Sequence, residues 1–416
     1  MIVLLFYCII SSFMYVYGKH KDSNTSTNTN TNTNNDELNL HSYSNDITKC
    51  NGDPFPSLPL RTLTQLGICG SNDILHTPYY NINCTHIDSI RDYSFSNYIL
   101  NDNNRKHRYQ LLKSIVNNGK FKPYNGKLVL VTVVNTGFLF LFYNWLCSIE
   151  NNIGNIESTI NSLIILAADD EASMILSKQG FNVISLKAMV PNEKNYEISK
   201  LPPAFFGSNN IALQKGCLIT MGSDLLTMGY ELILFDVDTV WKKDFKPYLS
   251  KFGHNIDMLV THDGRYHYDG NIYDVDAPLN SGFIYARPNC RTRIALDTLS
   301  ANIDLAFKHL GSTDQGVFNM IIYQSPKFRT LRLGILPWHL FINGHVYHRD
   351  KFSSIDWNRV MMIHASWTTN WKMKIKKFMM TNDYYYQQGN CSYYNKEYDL
   401  MLKNNNTLNE DVVNTD

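Results

Sequence analysis

Glu231-Leu-Ile-Leu-Phe-Asp236-Val-Asp238-Thr-Val-Trp241 is the stretch that decides how this 416-residue chain folds. Leu232, Ile233, Leu234 and Phe235 form a short unbroken apolar run, which fits a strand buried on both faces in a sheet flanked by helices. The run ends at two acids. Side chains two apart on an extended chain point the same way, so Asp236 and Asp238 are expected to present both carboxylates to one spot beyond the strand's carboxyl end. Open α/β sheets bind their ligands there. Two hard oxygen donors suit Mn²⁺ or Mg²⁺, which fills its other positions with water or substrate phosphate. A lone Asp-x-Asp is also an ordinary turn cap, so the flanking chain has to choose.

On the amino-terminal side, Lys127-Leu-Val-Leu-Val-Thr-Val-Val134 reads as a buried strand. Asn135-Thr-Gly137 turns it into a long apolar helix over 138–150. A second strand over 162–167 runs into Asp169-Asp-Glu171 and a helix to Lys178, and Gly180 leads to a third strand over 181–186. This alternation implies a parallel sheet with right-handed crossovers. After an irregular stretch with Pro191, Pro202 and Pro203, a helix over 211–228 is stopped by Gly229 just before the deciding strand. Beyond the acids come an apolar run at 256–260, Thr261-His-Asp263-Gly264, and Asn280-Ser-Gly282-Phe-Ile-Tyr-Ala286. A helix over 291–309, a helix capped by Thr313-Asp314-Gln315, and apolar runs at 331–336 and 360–364 follow. The fold expected is α/β, a Rossmann-like, mostly parallel sheet with helices on both faces.

Hydrophobic residues make up 44% of the chain and charged ones 18%, enough for one large domain with appendages. A net charge of +1 gives no footprint for nucleic acid. Residues 1–18 read as a signal peptide or short signal anchor, so any membrane contact is expected through that segment alone. Residues 19–45 hold an Asn/Thr tract too polar to bury a core, expected as a disordered linker. Residues 46–125 form a cysteine-containing stem with one convincing helix over 107–116, 126–380 the main domain, and 381–416 a carboxyl-terminal tail. Sequons at Asn24, Asn83, Asn390 and Asn405 agree with the lumen of the secretory pathway, Golgi or ER. Cys50, Cys69 and Cys84 are expected to bridge among themselves or to Cys391, while Cys147 and Cys217 fall in apolar helical patterns and read as core residues.

Phe235-Asp-Val-Asp-Thr-Val resembles the haloacid-dehalogenase phosphohydrolase motif, whose first Asp is a nucleophile. That fold carries its acids on its first strand, however, whereas three strand patterns precede them here. Val131-Thr-Val-Val-Asn135, Phe142-Tyr-Asn144-Trp145, Phe235-Asp-Val-Asp-Thr-Val-Trp241, Leu279-Asn-Ser-Gly-Phe283, Thr313-Asp-Gln-Gly-Val-Phe-Asn319 and His364-Ala-Ser-Trp367, taken in order, resemble the nucleotide-diphospho-sugar transferases, specifically glycosyltransferase family 77. The resemblance implies a GT-A fold, a UDP-sugar donor of xylose, galactose or arabinose type, Mn²⁺ (or Mg²⁺), a glycan or glycoprotein acceptor, and retention of anomeric configuration. It gives direct metal ligation to Asp238, a place near the ribose or the metal to Asp236, and the third ligand to His364. Lys374 would neutralise the diphosphate, although the glycine common in that loop is Asn370 here. Thr132, Val134, Asn135 and Val237 would hold the nucleotide; Asp263, Asn280 and Gly282 would meet the donor sugar, with Lys215 a further donor contact. Asp314 and Gln315 would face the reacting sugar, where Asp314 otherwise serves as an N-cap. A glycan-binding pseudoenzyme of the same fold is the non-catalytic alternative.

Overall fold

The computed structural model describes residues 102–189, 209–252, 256–263, 279–289, 291–293, 295–300, 302, 314–319, 322, 331–347, 355–368, 371–387 and 391–394. The leader, the Asn/Thr tract, the asparagines of all four sequons, Cys50, Cys69, Cys84, Gly264, Asn370 and the three prolines of the irregular stretch lie outside the described residues. Among the described residues, no helix is long and apolar enough to cross a membrane.

In chain order the elements are α1 (Asp102–Val116), β1 (Leu128–Val134), α2 (Leu139–Asn152), α3 (Ile156–Asn161), β2 (Leu163–Ala167), α4 (Asp170–Lys178), β3 (Asn182–Ser185), α5 (Asn209–Thr227), β4 (Glu231–Phe235) and β5 (Thr239–Trp241). Then come β6 (Met258–His262), β7 (Leu279–Ala286), α6 (Asp314–Phe318), β8 (Leu333–Ile335), β9 (Phe341–Ile342), β10 (Met362–His364) and α7 (Trp371–Met380). Seven strands form one sheet in the order β3-β2-β1-β4-β7-β6-β8. β3, β2, β1 and β4 pair in parallel, β7 runs antiparallel to both β4 and β6, and β8 is parallel to β6. The expected α/β class and mostly parallel sheet are therefore what the chain forms.

Alternation along the strands divides the core between the two faces. Val129, Val131, Leu232 and Leu234 join the cluster under α5 and α1, with Met221, Leu225 and Leu112. Leu130, Ile233 and Phe235 join the opposite cluster with Phe140, Phe142 and Trp145 of α2. The continuous apolar run of β4 is thus buried on both faces, as a central parallel strand requires. The helix expected at 107–116 starts five residues earlier, and its extra turn carries Arg105. Arg105 pairs with Asp297 at 2.6 Å and Arg108 with Asp224 at 2.7 Å, both nearly fully buried, fixing α1 to the domain.

A second, three-stranded sheet has the order β5-β10-β9. Against it and α2 lies the start of the expected tail. Asn144 accepts hydrogen bonds from the amides of Tyr385 and Tyr386, and its own amide donates to the Asp383 carbonyl. Tyr386 stacks on Tyr143 at 5.5 Å between ring centres. Cys147 is bonded to Cys391, which corrects its assignment as a plain core residue. The partners are 244 residues apart, and an apolar helical pattern does not distinguish a thiol facing core from one facing a covering segment. Cys217 is a buried free cysteine, as expected.

At the entrance to β6, Asp257 receives Arg291 at 2.8 Å and Arg332 at 2.7 Å while its side chain is 1% exposed. Burial pushes the Asp257 carboxyl up, but hydrogen bonds from the two guanidinium groups bring it below its ordinary 3.8. A depressed native pKa means the ion pairs stabilise the fold fully above the unfolded value and are lost as pH falls through the native one. Asp257→Asn is expected to cost about 2 kcal/mol near neutrality, because charge-assisted hydrogen bonds from two partly exposed guanidinium groups to a buried carboxylate are lost. It should also flatten the acid limb of stability below pH 4, read by urea midpoints between pH 7 and pH 2.

Candidate active site

The strand expected to end at the two acids does so, and a second strand follows them. β4 ends at Phe235, the chain turns through Asp236-Val-Asp238, and β5 enters the second sheet. The extended geometry expected for the two acids is therefore replaced by a turn, yet their carboxylates still converge. Register supplies the third group: β10 runs antiparallel to β5 with His364 opposite Thr239, and the Ala365 amide donates to the Asp238 carbonyl at 2.9 Å. His364 Nε2 lies 3.3 Å from Asp238 Oδ1 and 3.9 Å from Asp236 Oδ2. One ligand atom from each of Asp236, Asp238 and His364 falls within 4.8 Å of the others, a spacing that fits a divalent cation with two carboxylate oxygens and an imidazole nitrogen.

Two lysines close on the acids. Lys215, from α5, pairs with Asp236, and its ammonium is 3.7 Å from Asp314. Lys374, from α7, pairs with Asp238. Burial would raise the Asp238 carboxyl, but Lys374 and His364 hold it well below its ordinary value. Burial works against charge on Lys215 and His364, and the facing carboxylates overcome it, raising both.

The remaining expected residues divide. Asp314 is the first residue of α6, and its carboxylate accepts the Ser281 hydroxyl at 2.9 Å as well as facing Lys215. Asp263 accepts hydrogen bonds from Asn280 at 2.7 Å, Gln315 at 2.6 Å and Trp367 at 3.1 Å. Burial raises its carboxyl, and those donors pull it back. Gly282 lies directly under the His364 ring; its amide donates to Asn280 and its carbonyl accepts from the Asp236 amide.

Three residues expected at the nucleotide also serve the fold. Thr132 is fully buried and donates its hydroxyl to the Phe235 carbonyl, tying β1 to the end of β4. Val134 and Val237 are buried within the apolar cluster under α2. Their side chains are used in packing, which a strand-end position alone does not reveal. Asn135 caps the turn into α2 by accepting from the Phe138 amide at 3.0 Å, while its buried Nδ2 has no protein partner and remains a candidate contact. Ser281 and Trp367 were quoted only as parts of motifs and join the site through Asp314 and Asp263. Their signal was adjacency to Gly282 and His364.

The crossing of two sheets gathers two acids, a histidine and two lysines beyond β4. The profile of the nucleotide-diphospho-sugar transferase family matches residues 158–379, over half of the chain, and the chain belongs to that family, whose GT-A architecture agrees with the mostly parallel sheet. No curated protein matches it in sequence. Among solved structures, the galactosyltransferase LgtC in complex with donor and acceptor sugar analogues is similar at 10% identity and a TM-score of 0.38, over 65% of this chain and 98% of that one. Mouse xyloside xylosyltransferase 1, without ligands, has 12% identity and a TM-score of 0.36 over 58% and 99%. A glycosyltransferase involved in glycosylation of the major capsid of PBCV-1 has 10% and 0.36 over 61% and 99%. At these identities the likenesses carry no substrate or mechanism across. The family sets aside the phosphohydrolase alternative, and Asp236 is engaged by Lys215.

A Cβ at Gly282 would lie 2.9 Å from His364 Nε2 and from Asn280 Oδ1, closer than real Cβ contacts come. Gly282→Ala is therefore expected to turn the imidazole away from Asp238 while leaving the buried strand β7 in place. Circular dichroism should stay unchanged while Mn²⁺ affinity falls at least about tenfold, the loss typical when a ligand's support is removed; unaltered Mn²⁺ binding would contradict the placement of Gly282.

Proposed function

We propose that this chain is a metal-dependent, retaining glycosyltransferase that moves a sugar of xylose, galactose or arabinose type from its UDP conjugate to a glycan or glycoprotein acceptor. The single observation that carries the reading is the convergence of Asp236, Asp238 and His364, with Lys215 and Lys374 paired to the two acids. A secretory lumen is the proposed setting, and the Cys147–Cys391 bond supports it because such cross-links persist in oxidising compartments.

Asp236, Asp238 and His364 would hold Mn²⁺ or Mg²⁺. Such a cation, when bound, supplies Lewis-acid stabilisation of the charge that grows on a departing diphosphate. Lys374 adds a second positive group beside Asp238, suited to the same charge. Lys215, paired with Asp236 and 3.7 Å from Asp314, holds the two carboxylates in place. Asp314, oriented by the Ser281 hydroxyl, is placed to stabilise positive charge at an anomeric carbon. Gln315 and Asn280, both bound to Asp263, offer directional donors and acceptors for sugar hydroxyls. The Asp263 carboxylate anchors those two amides.

Binding to the native state alone raises apparent stability, so UDP is expected to raise the melting temperature of the wild type with Mn²⁺ and not with EDTA. Asp238→Asn and His364→Ala should remain folded and lose this response. An unchanged Mn²⁺-dependent shift in both variants would remove them from the cation site. Mn²⁺-dependent UDP release from a panel of UDP-sugars then identifies the donor, and the pseudoenzyme alternative gives a UDP shift with no release.

Asp314→Asn keeps an acceptor for Ser281 and removes the charge. It is expected to lower kcat on the order of a hundredfold, the scale of removing one group that stabilises transition-state charge, with UDP affinity within about threefold of wild type. Near-normal kcat would leave Asp314 a helix-start residue only.

A further inference from the structure

Three described residues other than glycine have a left-handed backbone, Asn125, Trp367 and Asn382. Asparagine adopts that conformation readily; a bulky aromatic does not, and such strain persists only where the surroundings impose it. The surroundings of Trp367 do impose it. The Gly344 amide donates to the Ser366 hydroxyl at 2.9 Å, and a Cβ at Gly344 would collide with the Ser366 backbone, so the two loops are locked together at a glycine. The indole then meets the edge of buried His345 at 5.2 Å, and its N–H donates to Asp263. All this fixation ends in a side chain that is still 50% exposed. The strained backbone therefore holds a half-exposed indole at a fixed place beside Asp263.

Trp367 stands three residues after His364, and its N–H shares an Asp263 oxygen with Asn280. Exposure falls steeply inward from it: Asp263 is 7% exposed, Asp314 9% and Asn280 1%. The inner group suits an enclosed, small donor sugar, whereas the open indole face suits a ring that belongs to a larger molecule and stays partly in solvent. A pyranose presents one face of C–H groups, which packs on an aromatic face, while its hydroxyls stay free for polar partners.

We infer that Trp367 is an acceptor subsite, a rigid platform on which the terminal pyranose ring of the acceptor glycan stacks beside the Asp263 cluster. This rests on the transferase reading and adds the acceptor side to it. The left-handed backbone and the bond to Asp263 hold the ring plane at a fixed orientation to the site, so that a stacked sugar presents a hydroxyl towards the donor. The indole is a binding and positioning group and takes no part in bond making.

The probe is a panel of methyl α- and β-D-pyranosides of xylose, galactose, glucose and mannose, observed by saturation-transfer NMR on the full chain with Mn²⁺, with and without UDP. At least one glycoside is expected to bind the wild type and to bind Trp367→Ala roughly tenfold or more weakly, the loss of one aromatic stack. Trp367→Tyr, which keeps an aromatic face, should recover most of it. The Mn²⁺-dependent UDP thermal shift should be equal in all three proteins, which shows that they are folded and that the donor side is intact. Equal glycoside binding by Trp367→Ala, binding of no glycoside by a wild type that shows the UDP shift, or loss of that shift in Trp367→Ala would each overturn the inference. A wild type without a UDP shift would refute the donor reading instead, and the glycoside measurement without UDP still reads the platform.

Discussion

Mutual repulsion of carboxylates gathered in one partly buried spot is the constraint that the rest of the site answers. Two like charges 4.8 Å apart, the outer limit of the Asp236, Asp238 and His364 cluster, repel by about 3.5 kcal/mol at an effective dielectric of ~20. Asp314 adds a third acid through Lys215. The fold meets this by bringing one lysine from each side: Lys215 from α5, before the deciding strand, and Lys374 from α7, near the end of the domain. Neither lysine is adjacent in sequence to the acid it serves, so the cluster forms only when both helices are docked. Helix α7 is held in turn by Phe378, buried in the cluster under α2, so packing there and charge at the site depend on each other.

Geometry at the site follows from a change of sheet. Had the chain run straight on from Phe235, Asp236 and Asp238 would have faced one way from a single edge, with no strand to bring a third ligand. By turning at Asp236-Val-Asp238 into the small sheet, the chain sets Asp238 next to a partner strand, and the β5/β10 register puts His364 beside it. Val237, pointing into the apolar cluster, anchors the turn from below. Thr132 fixes the same corner from β1 through the Phe235 carbonyl. Residues expected at the ligand thus hold the corner from which the ligating groups project.

How much of this was legible in the sequence follows from the range of each signal. Periodicity is local, and it yielded β1, β2, β3, β4, α2 and α5 with their order and class. The Asp pair was found from its place at a strand end, and the late histidine and Lys215 through the family resemblance. The end of β4 at the acids was legible, but β5 was not, because only pairing partners tell that Thr239, Val240 and Trp241 belong to another sheet. The Cys147–Cys391 bond was missed because nothing near either cysteine encodes the other. Thr132 and Val134 are placed at the ligand by their position in the chain; the assembled fold adds that both side chains are buried and that Thr132 ties β1 to the end of β4.

The site has an ionic half and a hydrogen-bonding half, and they join at Ser281-Gly282. On one side, Asp236, Asp238, His364, Lys215 and Lys374 interact mainly through charge, which falls off slowly with distance and tolerates small shifts. On the other, Asn280, Gln315 and Trp367 reach Asp263 through hydrogen bonds of 2.6 to 3.1 Å, which weaken steeply with angle. Charge suits a flexible diphosphate; direction suits the discrimination of one sugar hydroxyl from its epimer. Ser281 binds Asp314 on one side of the join, while Gly282 lets the His364 ring approach on the other and hands its amide to Asn280. Changes in the Asp263 group should therefore alter which sugar is accepted more than how tightly UDP is held, and changes in the ionic half should do the reverse. The short Asn-Ser-Gly segment is where the two properties cannot be varied independently, because it contacts Asp314, Asp236 and the His364 ring on one side and Asp263 on the other.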